Sequence, residues 1–147
     1  MDHNSIEVLF AEDNSDYAEL TIRELKKNNL TNNIFHVWDG AEALDFIFAR
    51  GNFETTRNIN HTPKLIMLDI QMPKISGIEV LKQIKANDIT RTTPVIMLTS
   101  SKEDPDIHKC YSLGANSYII KPINFEIFAT AIKNLGFYWL LLNHPHR

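Results

Sequence analysis

The chain contains a single cysteine, Cys110, in 147 residues. That count excludes an intramolecular disulfide and fits a reducing compartment. Long hydrophobic runs are missing as well. The longest unbroken apolar stretch, Phe137 to Leu142, has six residues, whereas a bilayer-spanning helix needs roughly 20. The N-terminus, Met1-Asp2-His3-Asn4-Ser5, has neither the basic region nor the apolar core of a signal peptide. No dense basic stripe occurs: Lys26-Lys27 is the only adjacent basic pair, and the formal charge is −3. Both facts speak against a nucleic-acid partner. The six histidines show no metal-ligand spacing. These absences leave a cytoplasmic protein, without membrane or nucleic-acid partners, as the expectation. Its 44% hydrophobic and 22% charged residues are ordinary for a single globular domain with a real core.

What is present is organised around Leu65-Ile66-Met67-Leu68-Asp69-Ile70-Gln71-Met72-Pro73. A short apolar run ending on one carboxylate reads as a strand buried on both faces, with an acid at its C-terminal end. Open α/β sheets place their ligands at that end. The same strand-then-helix alternation runs along the chain. Ile6–Ala11 is followed by a helix through about Asn29 with Tyr17, Leu20, Ile22 and Leu25 as its stripe. Asn33–Trp38 is followed by a helix from Asp39-Gly40-Ala41-Glu42, a capping-box spacing, to about Arg50. Residues 51–63 are polar and aperiodic and read as a long loop. Ser76-Gly77-Ile78-Glu79 opens the third helix. The strand Pro94–Thr99 precedes a helix announced by Asp104-Pro105, and Ser117–Ile120 precedes one capped by Asn124. Five such units imply a doubly wound α/β fold: a five-stranded parallel sheet with helices on both faces and right-handed crossovers.

In such a sheet every strand ends at one edge. That edge gathers Glu12-Asp13, Trp38-Asp39, Asp69, Thr99-Ser100 and Lys121. Neighbouring carboxylates repel and push at least one pKa upward. A hard divalent cation, Mg²⁺ or Mn²⁺, removes that conflict. Lys121 adds a point charge suited to a phosphoryl oxygen, and Thr99 a hydrogen-bond donor. The set suits covalent phosphorylation of a carboxylate.

The order Glu-Asp, Asp, Thr, Lys-Pro, each at a strand end, resembles the receiver domain of two-component response regulators. The resemblance covers residue 6 to about 135. It implies a flavodoxin-like strand order 2-1-3-4-5, with Asp69 as phosphoacceptor and Asp13, Asp69 and the backbone carbonyl of Gln71 holding Mg²⁺. It places Glu12 in the outer metal shell, Thr99 and Lys121 on the phosphoryl group, and Tyr118 as the aromatic switch residue. Lys121-Pro122 is often cis in this family. Ser76-Gly77 departs from the commoner acidic-Gly or Asn-Gly pair after the proline, but it falls in the turn and puts no catalytic role in doubt. The implied partner is a sensor histidine kinase, and the implied output is a conformational switch on the face of the fourth helix, fifth strand and fifth helix, read by a downstream protein. The long 51–63 loop and the extension at 136–147 resemble the small single-domain regulators paired with cyanobacterial and bacterial phytochromes.

Three other readings compete. An aspartyl-phosphate phosphatase usually wants a second acid two residues after its nucleophile, where this chain has Gln71. A nucleotide-binding domain would need a G-x-x-x-x-G-K-[ST] loop after the first strand, and none exists. A phosphorylation-independent adaptor would tolerate degraded site positions, and none of the five is degraded. The final helix carries Phe125, Phe128, Ile132, Leu135, Trp139 and Leu142 at packing-seam spacing. Phe137, Tyr138, Trp139, Leu140 and Leu141 form a candidate homodimer interface, with folding back onto the domain as the alternative.

Overall fold

The computed structural model describes residues 3–27, 33–100, 104–134 and 136. Strands β1 (Val8–Ala11), β2 (Ile34–Val37), β3 (Leu65–Asp69), β4 (Val95–Thr99) and β5 (Ser117–Ile120) alternate with helices α1 (Ser15–Lys27), α2 (Gly40–Ile47), α3 (Gly77–Ala86), α4 (Asp106–Ser112) and α5 (Phe125–Asn134). The sheet order is β2-β1-β3-β4-β5, and every pair is parallel. This is the doubly wound, flavodoxin-like arrangement expected from the sequence.

The apolar runs become central strands because both of their faces are covered. Successive side chains on a strand point to opposite sides. Leu9, Ala11, Ile66, Leu68, Val95 and Met97 therefore pack with α2, α3 and α4. Val8, Phe10, Leu65, Met67, Ile96 and Leu98 pack with α1 and α5. Every residue of β1, β3 and β4 is buried. With the interior filled by aliphatic groups, chemistry is confined to the strand ends.

Several local expectations are corrected by the packing. On α1 the buried positions are Ala18, Thr21 and Leu25, with Ile22 packed beside them, while Leu20 is 49% exposed. The helical period from Leu25 runs back through 21 and 18 and leaves Leu20 on the solvent side. Helix α2 stops at Ile47, short of Arg50. Its cap is reciprocal as expected, but the Glu42 carboxylate accepts from the Trp38 backbone N–H, one residue before the Asp39 cap. Ser76 accepts from the Glu79 N–H and caps α3. Asp104 caps α4 through the N–H of Asp106, and Pro105 lies just outside the helix. Asn124 Oδ1 accepts from the Ile127 N–H at the start of α5.

The 51–63 segment is more ordered than its polarity suggested. It holds a 3-10 turn, Gly51–Phe53, and buries both Phe53 and Arg57. The Arg57 guanidinium donates to the Phe46 carbonyl at 2.8 Å, the Ile47 carbonyl at 3.2 Å and the His61 carbonyl at 2.7 Å. Its plane lies 4.4 Å from the Phe46 ring centroid. A cation thus caps the C-terminal carbonyls of α2, where the helix dipole is negative. His3 joins the rings of Phe35, Phe46 and Phe53 and shares a hydrogen bond with Thr56. The N-terminal segment and the loop are held in one aromatic cluster.

Candidate functional site

The site forms because β1 and β3 are neighbours in register, Ala11 beside Leu68. The next residues, Glu12 and Asp69, therefore sit side by side at the sheet edge. Glu12 is 0% exposed and Asp69 3%. Asp13, one residue further, is exposed. One carboxylate oxygen from each of Glu12, Asp13 and Asp69 lies within 4.8 Å of the others. Lys121, just after β5, reaches across the edge. Its Nζ donates to Glu12 Oε1 at 3.1 Å and to Asp69 Oδ2 at 3.2 Å. Backbone amides complete the carboxylate shells: the Asn14 N–H donates to Glu12 Oε2, and the Gln71 N–H to Asp69 Oδ1.

Electrostatics follow from this burial. The Asp69 carboxyl is pushed up to about 7, first by its own burial, then by hydrogen bonding to and the charge of Glu12, with Lys121 opposing. Repulsion between acids was the expected cause, yet desolvation is the larger one. Burial alone would pull the Lys121 ammonium down, but the charges of Asp69 and Glu12 outweigh it and raise its pKa. The arrangement is one ammonium shared by two buried carboxyl groups. The three acids offer hard oxygen donors at a spacing that suits a small divalent cation, and they carry more negative charge than Lys121 cancels. The donor set therefore fits Mg²⁺ or Mn²⁺.

Close approach of the backbone frames the site. A Cβ on Gly77 would overlap the Asp69 carbonyl oxygen, and one on Gly40 would overlap that of Ile75. The Gly77 N–H donates to the Ile70 carbonyl at 2.9 Å, closing the turn after β3. Lys121-Pro122 is cis, in line with the sequence reading.

Thr99 ends β4 and is buried, but its hydroxyl donates to Asp104 Oδ2 at 3.0 Å. Tyr118 lies on β5, half-buried, and meets the ring of Tyr111 on α4 edge-on at 5.9 Å. Asp39, although at the same edge, is occupied elsewhere: it caps α2 and pairs with Lys74 at 3.3 Å. Phe137, Tyr138, Trp139, Leu140 and Leu141, with Leu135 and Leu142, lie outside the described residues. Two neighbours of the site were not legible as such in the sequence. Tyr17, read as a packing residue of α1, places its ring centroid 4.6 Å from Lys121 Nζ. Asp104 was legible as a helix cap but not as a partner of Thr99.

A family model described as response regulator receiver domain matches residues 8–133. The probable methanogenesis regulatory protein FilR2 of Methanothrix harundinacea is 37% identical over 133 residues, covering 90% of this chain and 83% of that protein. The solved structure of bacteriophytochrome response regulator RtBRR matches with a TM-score of 0.84 and 41% identity, over 94% of this chain and 82% of that one. The Mn²⁺-bound form of response regulator Rcp1, a protein of Synechocystis sp., matches with a TM-score of 0.72 and 30% identity, over 90% of this chain and 93% of that one. Sequence match, sheet order and site geometry agree: the chain belongs to the response regulator receiver domain family.

Proposed function

We propose that this protein is a phosphoacceptor of a two-component pathway, with Asp69 as the residue phosphorylated. The observation that carries the reading is the buried carboxylate of Asp69 at the end of the central strand, flanked by Glu12 and Asp13 and touched by Lys121. In the transfer, the N–P bond of a phosphohistidine on a partner kinase breaks as an Asp69 oxygen bonds to phosphorus. The departing imidazole leaves neutral after taking up a proton. Asp13 and Asp69, with the Gln71 carbonyl, would hold Mg²⁺ or Mn²⁺, with Glu12 in its outer shell, and the ion would supply charge neutralisation for the carboxylates and the phosphoryl oxygens. Lys121 leaves its contact with Asp69 Oδ2 and binds a phosphoryl oxygen. Thr99 supplies a hydroxyl donor to another oxygen, and Tyr118 moves into the space Thr99 vacates. The face formed by α4, β5 and α5 changes shape and becomes readable by a downstream protein.

The likeness to a bacteriophytochrome response regulator supports a kinase of the phytochrome class as phosphodonor. Transfer from such a kinase, radiolabelled on its histidine, is expected to be divalent-metal dependent and absent in Asp69→Asn. Undiminished transfer to that variant would sink the reading. The apolar segment at 137–142 supports self-association. Shortening the chain after Leu135 is expected to convert a dimer to a monomer in light scattering, and an unchanged mass would reject that role.

A further inference from the structure

One carboxylate joins the switch threonine to a helix. Asp104 Oδ2 accepts from the Thr99 hydroxyl at 3.0 Å. The other oxygen, Oδ1, accepts at 2.8 Å from the backbone N–H of Asp106, the first residue of α4. The Asp104 carbonyl also accepts from the Ile107 N–H at 3.2 Å. Thr99 is 1% exposed, so its hydroxyl makes this bond out of water. A hydroxyl has one hydrogen to donate. Thr99 cannot give it to Asp104 and to a phosphoryl oxygen on Asp69 at once.

We propose that Asp104 is a positioning residue: it holds Thr99 away from the acceptor site in the unphosphorylated protein and transmits the release of Thr99 to the start of α4. The inference rests on Asp69 being the phosphoacceptor. It adds the physical link by which that event reaches α4. When the phosphoryl group takes the Thr99 hydrogen, Asp104 loses one of its two anchors. Its hold on the Asp106 N–H then rests on a side chain that is free to rotate. Helix α4 has only seven residues, Asp106–Ser112, so a change at its first turn reaches most of its length. Tyr111, near its other end, already touches Tyr118 of β5. The helix would thus receive the signal at both ends. A cap without a switching role would explain the Asp106 contact but not the use of the second oxygen on Thr99.

Beryllofluoride with Mg²⁺ serves as the phosphoryl mimic. In Asp104→Ala the competing acceptor is gone, and the mimic is expected to bind about tenfold tighter than to wild type, the scale of one hydrogen bond to a charged group. Asp104→Ser retains a capping oxygen on a shorter side chain. It should fold as stably as wild type and still bind the mimic more tightly, which separates switching from capping. In a Thr99→Val background, Asp104→Ala should no longer change the affinity. A measurement without metal or mimic adds an independent reading: Thr99→Val is expected to speed amide exchange at Asp106 and Ile107 severalfold. Equal affinity in wild type, Asp104→Ala and Asp104→Ser would overturn the link and leave Asp69 phosphorylation standing. Unchanged exchange in Thr99→Val would overturn it too. Failure of wild type to bind the mimic at all would overturn the phosphoacceptor reading, and this inference with it.

Discussion

Replacing Asp69 by asparagine should stabilise the metal-free protein, and the gain should grow with pH. The folded protein holds the Asp69 carboxyl at about 7, against an ordinary value of 3.8. Between those values the folded state binds a proton that the unfolded state has lost. Stability from this group therefore falls as pH rises through that window, and the loss is complete above about 7. A difference of about three pH units at 1.36 kcal/mol each sets a ceiling on the order of 4 kcal/mol for the cost of the ionised group. Asparagine has no such titration, and Lys121 keeps its contacts with Glu12. The stability gap between Asp69→Asn and wild type should therefore widen by about 2–3 kcal/mol from pH 5 to pH 8. Urea unfolding of both proteins in a chelator, at four or five pH values, reads this because titrating groups away from the site cancel in the difference. Saturating Mg²⁺ at pH 8 should close the gap, since the cation stabilises only a site with all its carboxylates. A gap that stays constant or narrows with rising pH would refute the electrostatic account of the site.

Two further substitutions probe the frame around that carboxylate. Gly77→Ala forces a methyl group into the Asp69 carbonyl. It should cost about 1–3 kcal/mol in unfolding free energy, and an undisturbed melting temperature would show that the turn has slack. Arg57→Met removes three hydrogen bonds to carbonyls and the contact with Phe46. It should cost about 2–4 kcal/mol and raise amide exchange across 51–63.

The fold was legible because its signals are short-range. Apolar runs such as Leu65–Leu68 and Val95–Leu98 mark central strands, and each ends at a polar residue that the parallel arrangement sends to one edge. Glu12, Asp13, Asp69, Thr99 and Lys121 could be read from strand ends alone, since position in a parallel sheet fixes the edge on which they emerge. The contacts between them were less visible. The sequence cannot say that Lys121 bridges Glu12 and Asp69, because that depends on how a flexible four-carbon side chain crosses the sheet edge. The Thr99 contact with Asp104 joins a strand to a loop, where no period constrains which side chain faces which. The 51–63 segment is a loop as its polarity implies, but its buried contacts were not legible for a similar reason. Its polarity is real, yet Arg57 is buried because three carbonyls and an aromatic ring replace its water. Composition reports the charge of a residue and not the acceptors waiting for it.

The loop also bears on the site, although it lies apart from it. Arg57 fixes the end of α2 through Phe46 and Ile47, and the other end of α2 is capped by Asp39. Gly40, the first residue of α2, packs directly against the backbone of Ile75 in the segment that follows β3. The segment carrying Gln71 and Ser76 therefore abuts a helix anchored at both ends. No helix among the described residues is long and apolar enough to cross a membrane.

Phosphoryl transfer to Asp69 can be tested with a small-molecule donor, without any partner protein. Acetyl phosphate and Mg²⁺ are added to the purified chain, the product is reduced with borohydride, and the modified residue is located by peptide mass spectrometry. The expected result is a single site on the peptide containing Asp69, no modification in Asp69→Asn, and none when the cation is chelated beforehand. Modification elsewhere in wild type, or equal labelling of Asp69→Asn, would contradict it.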